Sequence, residues 1–156
     1  MENSTTKKNS PKPWKKSMVN SYFLDSDVIL DYLLDRMPFA DNSQEIFTLA
    51  LNSKIHLSVS ALSISNVDYL LKKSVGRVIS LQMIEDFCKI CRILSVGEKE
   101  ILLALKSNFN DFEDSIQHQT ALSNPEIKGI ITRNLSDYKK SKLPIFNPES
   151  FLQLFK

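Results

Sequence analysis

Acidic residues stand at several points of this sequence where chain geometry and chemistry meet. A short apolar stretch, Tyr22-Phe23-Leu24, runs straight into Asp25-Ser26-Asp27. A second, Ile130-Ile131, runs into Thr132-Arg133-Asn134, with Asp137 following. Between them lies Asp111-Phe112-Glu113-Asp114, at a predicted helix start. One aspartate at a helix start is explained by capping and the helix dipole, worth about 0.5–2 kcal/mol. Acids at two strand ends and a helix start of one small sheet ask for more. Carboxylates brought together repel unless a cation sits between them. An all-oxygen donor set of that kind suits a hard ion, Mg²⁺ or Mn²⁺.

Those acids need elements to hold them, and the hydrophobic pattern supplies a sequence of elements. It predicts strands over 22–24, 55–60, 93–96 and 127–132, with a last short one at 145–146. It predicts helices over 28–34, 39–52, 61–73, 78–92, 98–106 and 112–122, with Gly76 and Gly97 as breaks. Strands alternating with helices argue for βαβ units, an α/β fold and a central parallel sheet. In such folds function gathers at the carboxyl ends of the strands, where the acids fall.

The chain has 156 residues, room for one domain, and 42% of them are apolar, enough for a core at that size. Three glycines and six prolines exclude a collagen-like or low-complexity chain. No apolar run is long enough to span a membrane. The net charge of +2 divides unevenly. Residues 1–20 carry five lysines against one glutamate, +4, which leaves 15 basic and 17 acidic side chains, −2, for the rest. The first 20 residues read as a flexible basic arm without the apolar core of a secretory signal, and 21–156 as the folded domain.

The ordered segments resemble the PIN-domain family, in particular its small bacterial members of the VapC-toxin kind. FLDSDVILDYLLDRMPF (23–39) is similar to the family's Asp-Thr-Asn-Val-Leu-Leu-Asp opening. LSVSALSISNVDYLLKK (57–73), DFEDSIQHQTAL (111–122) and IITRNLSDYKKSKLPIFNPESFL (130–152) follow in order, the last resembling Thr-Arg-Asn-x-x-Asp-Phe and a Pro-x-x-Phe-Leu tail. The resemblance implies a three-layer α/β/α sandwich around a parallel sheet. It also implies a metal-dependent endoribonuclease acting on single-stranded RNA through Mg²⁺ or Mn²⁺, in which the cation polarises the scissile phosphate and activates water. Asp25, Asp114 and Asp137 then match the metal ligands. Ser26 stands for a Thr, Asp27 for an Asn, Asp111 flanks Asp114, and Thr132 and Asn134 belong to the last motif. Many PIN nucleases carry a Glu on the helix after the second strand; here that helix offers Asn66, an oxygen ligand without charge. A degenerate, non-cleaving domain is therefore an alternative reading. VapC-like toxins also imply an antitoxin peptide as partner, a homodimer, and a cytoplasmic location without membrane attachment.

Other features have plainer explanations beside the functional one. Asp27, Asp31 and Asp35 form a like-charged stripe at four-residue spacing, which needs solvent or a counter-charge; the family opening also carries an acid at the place of Asp31. Arg133, Lys139 and Lys140 lie near the last long strand's end, where they would hold an RNA backbone or merely a solvated surface. Cys88 and Cys91 have no second pair to make a zinc site and read as buried thiols on a helical face, as expected in a reducing cytoplasm. His118 lies one turn after Asp114 and is expected to be packed rather than catalytic. Phe39, Leu62, Tyr69, Leu70 and Leu71 offer apolar helical surface, by default core. FLDSDV also resembles the Asp-x-Asp start of haloacid-dehalogenase phosphatases, but their later acids follow a strand, and residues 101–106 read as a helix.

Overall fold

Tyr22 and Leu24 turn to one face of the sheet and Phe23 to the other, so the first strand alone divides the core in two. The structure, a computed structural model, describes residues 19–156; all but the last two residues of the expected basic arm lie outside them. The elements are β1 (Ser21–Leu24), α1 (Ser26–Leu33), α2 (Ala40–Leu51), β2 (His56–Ser60), α3 (Ala61–Val75), α4 (Arg77–Ile90) and β3 (Cys91–Leu94). There follow α5 (Glu98–Leu105), α6 (Phe112–Leu122), β4 (Ile127–Ile131), β5 (Ile145–Phe146), α7 (Pro148–Leu152) and a 3₁₀ turn (Gln153–Phe155). The five strands run in the order β3-β2-β1-β4-β5, every pair parallel. This is the parallel α/β sheet the alternating pattern predicts, in the three-layer arrangement the family resemblance implies.

The larger core joins Tyr22 and Leu24 to Val28 and Ile29 of α1, Phe47 of α2, Val67 and Leu71 of α3, Phe87 of α4 and Phe151 of α7. The smaller one joins Phe23 to Ala121 of α6, Ile127 and Ile130 of β4, and Tyr138. Gly129 lets β5 approach β4, since a Cβ there would meet the Phe146 ring at 2.7 Å and the Pro144 carbonyl at 2.9 Å. Of the apolar surface on 39–71, Leu71 enters the core, whereas Phe39, Tyr69 and Leu70 stay exposed.

One strand differs from the sequence pattern. β3 begins at Cys91, two residues earlier than predicted, because Leu57 to Ser60 of β2 pair in register with Cys91 to Leu94. Cys91 is therefore a buried strand residue rather than part of a helical face, while Cys88 remains on α4, and no disulfide joins them. Helix α7, which periodicity does not reveal, is set by its cap: Asn147 Oδ1 accepts from Ser150 N at 2.7 Å, with Pro148 at the first helical position.

The chain winds from β1 through β2 to β3 on one side and then crosses back to place β4 on the other side of β1. The direction reverses between β1 and β4, and the crevice beyond their carboxyl ends is where such sheets take ligands. β1 runs into Asp25 and β4 into Thr132.

Candidate active site

Asp25 caps α1, accepting from Ser26 N at 2.7 Å through Oδ1. Its other oxygen accepts from the Thr132 hydroxyl at 2.8 Å, and Thr132 Oγ1 in turn accepts from Asn134 N at 3.0 Å. Asp25 is 7% exposed and Thr132 wholly buried. Burial, then the charge of Asp27, push the Asp25 carboxyl up to about 7, against the pull of the Thr132 and Ser26 hydrogen bonds. Glu113 adds to the push.

Asp114 arrives from the other side of the sheet on the first turn of α6. Asp111 caps that helix, its Oδ1 accepting from Asp114 N at 3.0 Å, so it orients the turn that carries Asp114. Burial first, then the charges of Asp25, Asp111, Asp137 and Glu113, raise the Asp114 carboxyl to about 7. Asp114 thus sits among four other acids. Asp137 is held in the loop after β4, where the Asn134 side-chain amide donates to Oδ2, and Ser136 Oγ donates to Asn134 Oδ1 at 2.8 Å. Of the three acids expected as one group, Asp25 and Asp137 each act on Asp114 through their charge.

Asn66, on α3, does not stand alone. Its side-chain amide donates to Glu113 Oε1 at 2.5 Å, and Gln117 donates to the same oxygen at 3.2 Å. Gln117, fully buried, accepts from Ser63 Oγ at 2.7 Å, and Ser63 is bound to Ser60, which ends β2 and caps α3.

Asp27 and Asp31 serve a second purpose. Asp31 is fully buried on α1 and ion-paired with Arg133 Nε at 2.7 Å; Asp27 Oδ2 accepts from Arg133 N at 3.1 Å. Burial still raises both carboxyls, with Arg133 opposing it. The Arg133 guanidinium lies over the Phe39 ring, 4.0 Å from its centroid. The like-charged stripe therefore has its counter-charge, and Arg133 is engaged in tying the end of β4 to α1. Asp35, the third member of the stripe, is exposed and accepts from Gln44. Lys139 and Lys140 are exposed beside the loop, and the Lys140 ammonium donates to the Asn108 carbonyl. His118 is packed: 2% exposed, against Phe109, accepting from Lys142 N at 3.1 Å. Burial, then Lys142, lower its pKa.

The donor set fits a hard cation. Ser26 Oγ, Asp27 Oδ1 and the Tyr138 hydroxyl are buried with no hydrogen-bond partner, a costly condition unless something else satisfies them. Tyr138 is 1% exposed, and burial, then the charges of Asp25, Asp114 and Asp27, raise its pKa. Among the described residues, no three His, Cys, Asp or Glu side chains form a ready-made cage for an ion. Mg²⁺ does not require one, since it keeps several waters and takes one or two carboxylates directly. Asp25, Asp114 and Asp137 are the carboxylates that would hold it.

Two residues of this neighbourhood escape a reading by motif. Glu113 stands beside Asp114 in the quoted segment but is overshadowed by it. Tyr138 occupies the place of the family's Phe, and its added hydroxyl was the available signal.

The PIN-domain family profile matches residues 21–136. No curated protein matches the sequence. Among solved structures, the chain is similar to DNA-bound VapBC from Salmonella typhimurium, with a TM-score of 0.63 at 16% identity over 84% of this chain and 99% of that one. It is similar to VapBC2 of Rickettsia felis bound to a promoter DNA fragment, with 0.61 at 16% identity, covering 81% and 98%. It also resembles VapC20 of Mycobacterium tuberculosis, a toxin that cleaves the sarcin-ricin loop, with 0.58 at 12% identity, covering 70% and 86%. At such identities the likeness establishes the fold. Residues 101–105 are helical where the phosphatase alternative needs a strand, and the profile covers the first three motifs and the start of the fourth. The chain belongs to the PIN-domain family.

Proposed function

We propose that this PIN domain is an endoribonuclease that hydrolyses phosphodiester bonds of single-stranded RNA with Mg²⁺ or Mn²⁺, a toxin of the VapC kind restrained by an antitoxin peptide. PIN domains are generally nucleases that use divalent metal, and the VapBC likeness supports the toxin reading. The observation that carries the proposal is the meeting of Asp25 and Asp114 at the β1/β4 reversal, both carboxyls pushed up to about 7 by burial and by the surrounding acids.

A divalent cation bound there supplies Lewis-acid polarisation of the phosphate and activation of water. The chain's own residues do the rest. Thr132 and Ser26 fix the rotation of the Asp25 carboxylate. Asp111 sets the first turn of α6, and Asn134 and Ser136 hold Asp137. Burial of Asp25 and Thr132 strengthens each charge interaction by lowering the local dielectric. Exposed Lys139 and Lys140 flank the last acid as contacts for an RNA backbone. Homodimerisation and a cytoplasmic location belong to the same proposal; no helix among the described residues is long and apolar enough to cross a membrane.

The test is cleavage of several single-stranded RNAs with Mg²⁺, with Mn²⁺ and with EDTA, beside para-nitrophenyl phosphate. The proposal expects metal-dependent RNA fragments and no phosphate release from the small ester. A second reading, a binding domain without turnover, is favoured by the uncharged Asn66; cation binding with every RNA left intact would decide for it.

A further inference from the structure

Asn66 contributes no charge, yet it is joined to one. Its amide donates to Glu113 Oε1 at 2.5 Å, and the buried Gln117 amide supports the same oxygen at 3.2 Å. The chain of Ser60, Ser63 and Gln117 anchors this arrangement to the end of β2. Two amide donors on one oxygen hold the carboxylate rigidly. Glu113 precedes Asp114 on the first turn of α6, and its charge reaches both Asp25 and Asp114. A carboxylate added to a group already in mutual repulsion is unfavourable unless a cation compensates it. Independently, the Tyr138 hydroxyl, 1% exposed and without a hydrogen-bond partner of good geometry, feels the charges of Asp25, Asp114 and Asp27.

We propose that Glu113 supplies, from α6, the carboxylate that α3 lacks at Asn66, and that the Asn66 amide positions it as a donor to the divalent cation. The inference rests on the reading of Asp25 and Asp114 as a cation site. It turns the substitution at 66 from a missing ligand into a charge moved across the α3/α6 contact: Asp25, Glu113, Asp114 and Asp137 are still four acids. The same position then holds an amide whose hydrogen bond fixes its neighbour, as partners behind metal ligands commonly do.

Mn²⁺ binding to the full-length protein, read from the loss of the free-ion EPR signal, tests this without RNA. Glu113→Gln keeps the size and the acceptor for Asn66 but removes the charge; it should weaken Mn²⁺ binding about tenfold or more. Asn66→Ala, which leaves Glu113 held by Gln117 alone, should weaken binding less. Asn66→Glu combined with Glu113→Gln, which returns the charge to α3, should recover most of the lost affinity. Melting in EDTA identifies any variant that fails to fold, and the charge-returned double variant then carries the comparison. Wild-type binding with Glu113→Gln equally tight overturns the inference alone. No Mn²⁺ binding by the wild type overturns the cation site and the inference with it.

Discussion

The Thr132 hydroxyl donates to Asp25 Oδ2 at 2.8 Å, joining two residues 107 positions apart. Each is the first residue beyond its strand, so this bond spans the point at which the sheet reverses direction. It favours the ionised carboxylate at a position where burial and Asp27 oppose ionisation.

Replacing Thr132 by Val therefore acts on proton affinity as well as on packing. The Asp25 carboxyl should rise above its present value of about 7, and the acid limb of the pH–rate profile for RNA cleavage should move to higher pH. Loss of a buried bond to a carboxylate should also cost about 2 kcal/mol of stability. Thr132→Ser, which keeps the hydroxyl, should retain the wild-type profile; a profile unmoved by Val would show that the bond does not tune Asp25.

Stability of the metal-free protein should fall as pH rises. Asp25 and Asp114 bind protons more tightly when folded, at about 7, than at their ordinary value of 3.8. Their contribution is complete below about 3.8 and is lost as pH climbs through about 7. Thermal melts in EDTA between these limits should show the decline, and Asp25→Asn should flatten it. Mg²⁺ should raise the melting temperature more at pH 8 than at pH 5.5, because a cation binds the ionised carboxylates. An equal Mg²⁺ effect at both values would contradict the assignment.

Arg133 carries a structural duty that its place in the family motif does not announce. Asp31 is fully buried and ion-paired to it at 2.7 Å. Arg133→Met removes that acid's ion-pair partner, leaving only the charge of Arg36, and should cost about 3 kcal/mol in urea denaturation. Adding Asp31→Asn should recover much of the loss, whereas additive losses would show that the two residues act separately.

Much of this was legible in the sequence, for identifiable reasons. Tyr22-Phe23-Leu24 of β1 and Ile130-Ile131 of β4 are unbroken apolar runs because a parallel sheet buries both faces, and the acids after β1 and at the start of α6 stand where the chain turns. Periodicity could not locate the start of β3, because Cys91 and Arg92 suit either the end of α4 or a strand; pairing with β2 decides it. The partnership of Asn66 with Glu113 joins residues 47 apart through side-chain orientation on two helices, which residue spacing does not encode. Arg133 looked like a phosphate contact because a basic residue at a strand end has that appearance until Asp31 is seen to be buried beneath it.

The central claim is that Asp25 and Asp114, from opposite sides of the sheet, form one metal-dependent RNA-cleaving site. The most direct measurement is the rate of single-stranded RNA cleavage in saturating Mn²⁺ for the wild type, Asp25→Asn and Asp114→Asn, each checked for folding by its melting curve. The account predicts cleavage by the wild type and a loss of about a hundredfold or more in either variant, in line with removal of an electrostatic stabiliser of the transition state. Cleavage by both folded variants at the wild-type rate would contradict it.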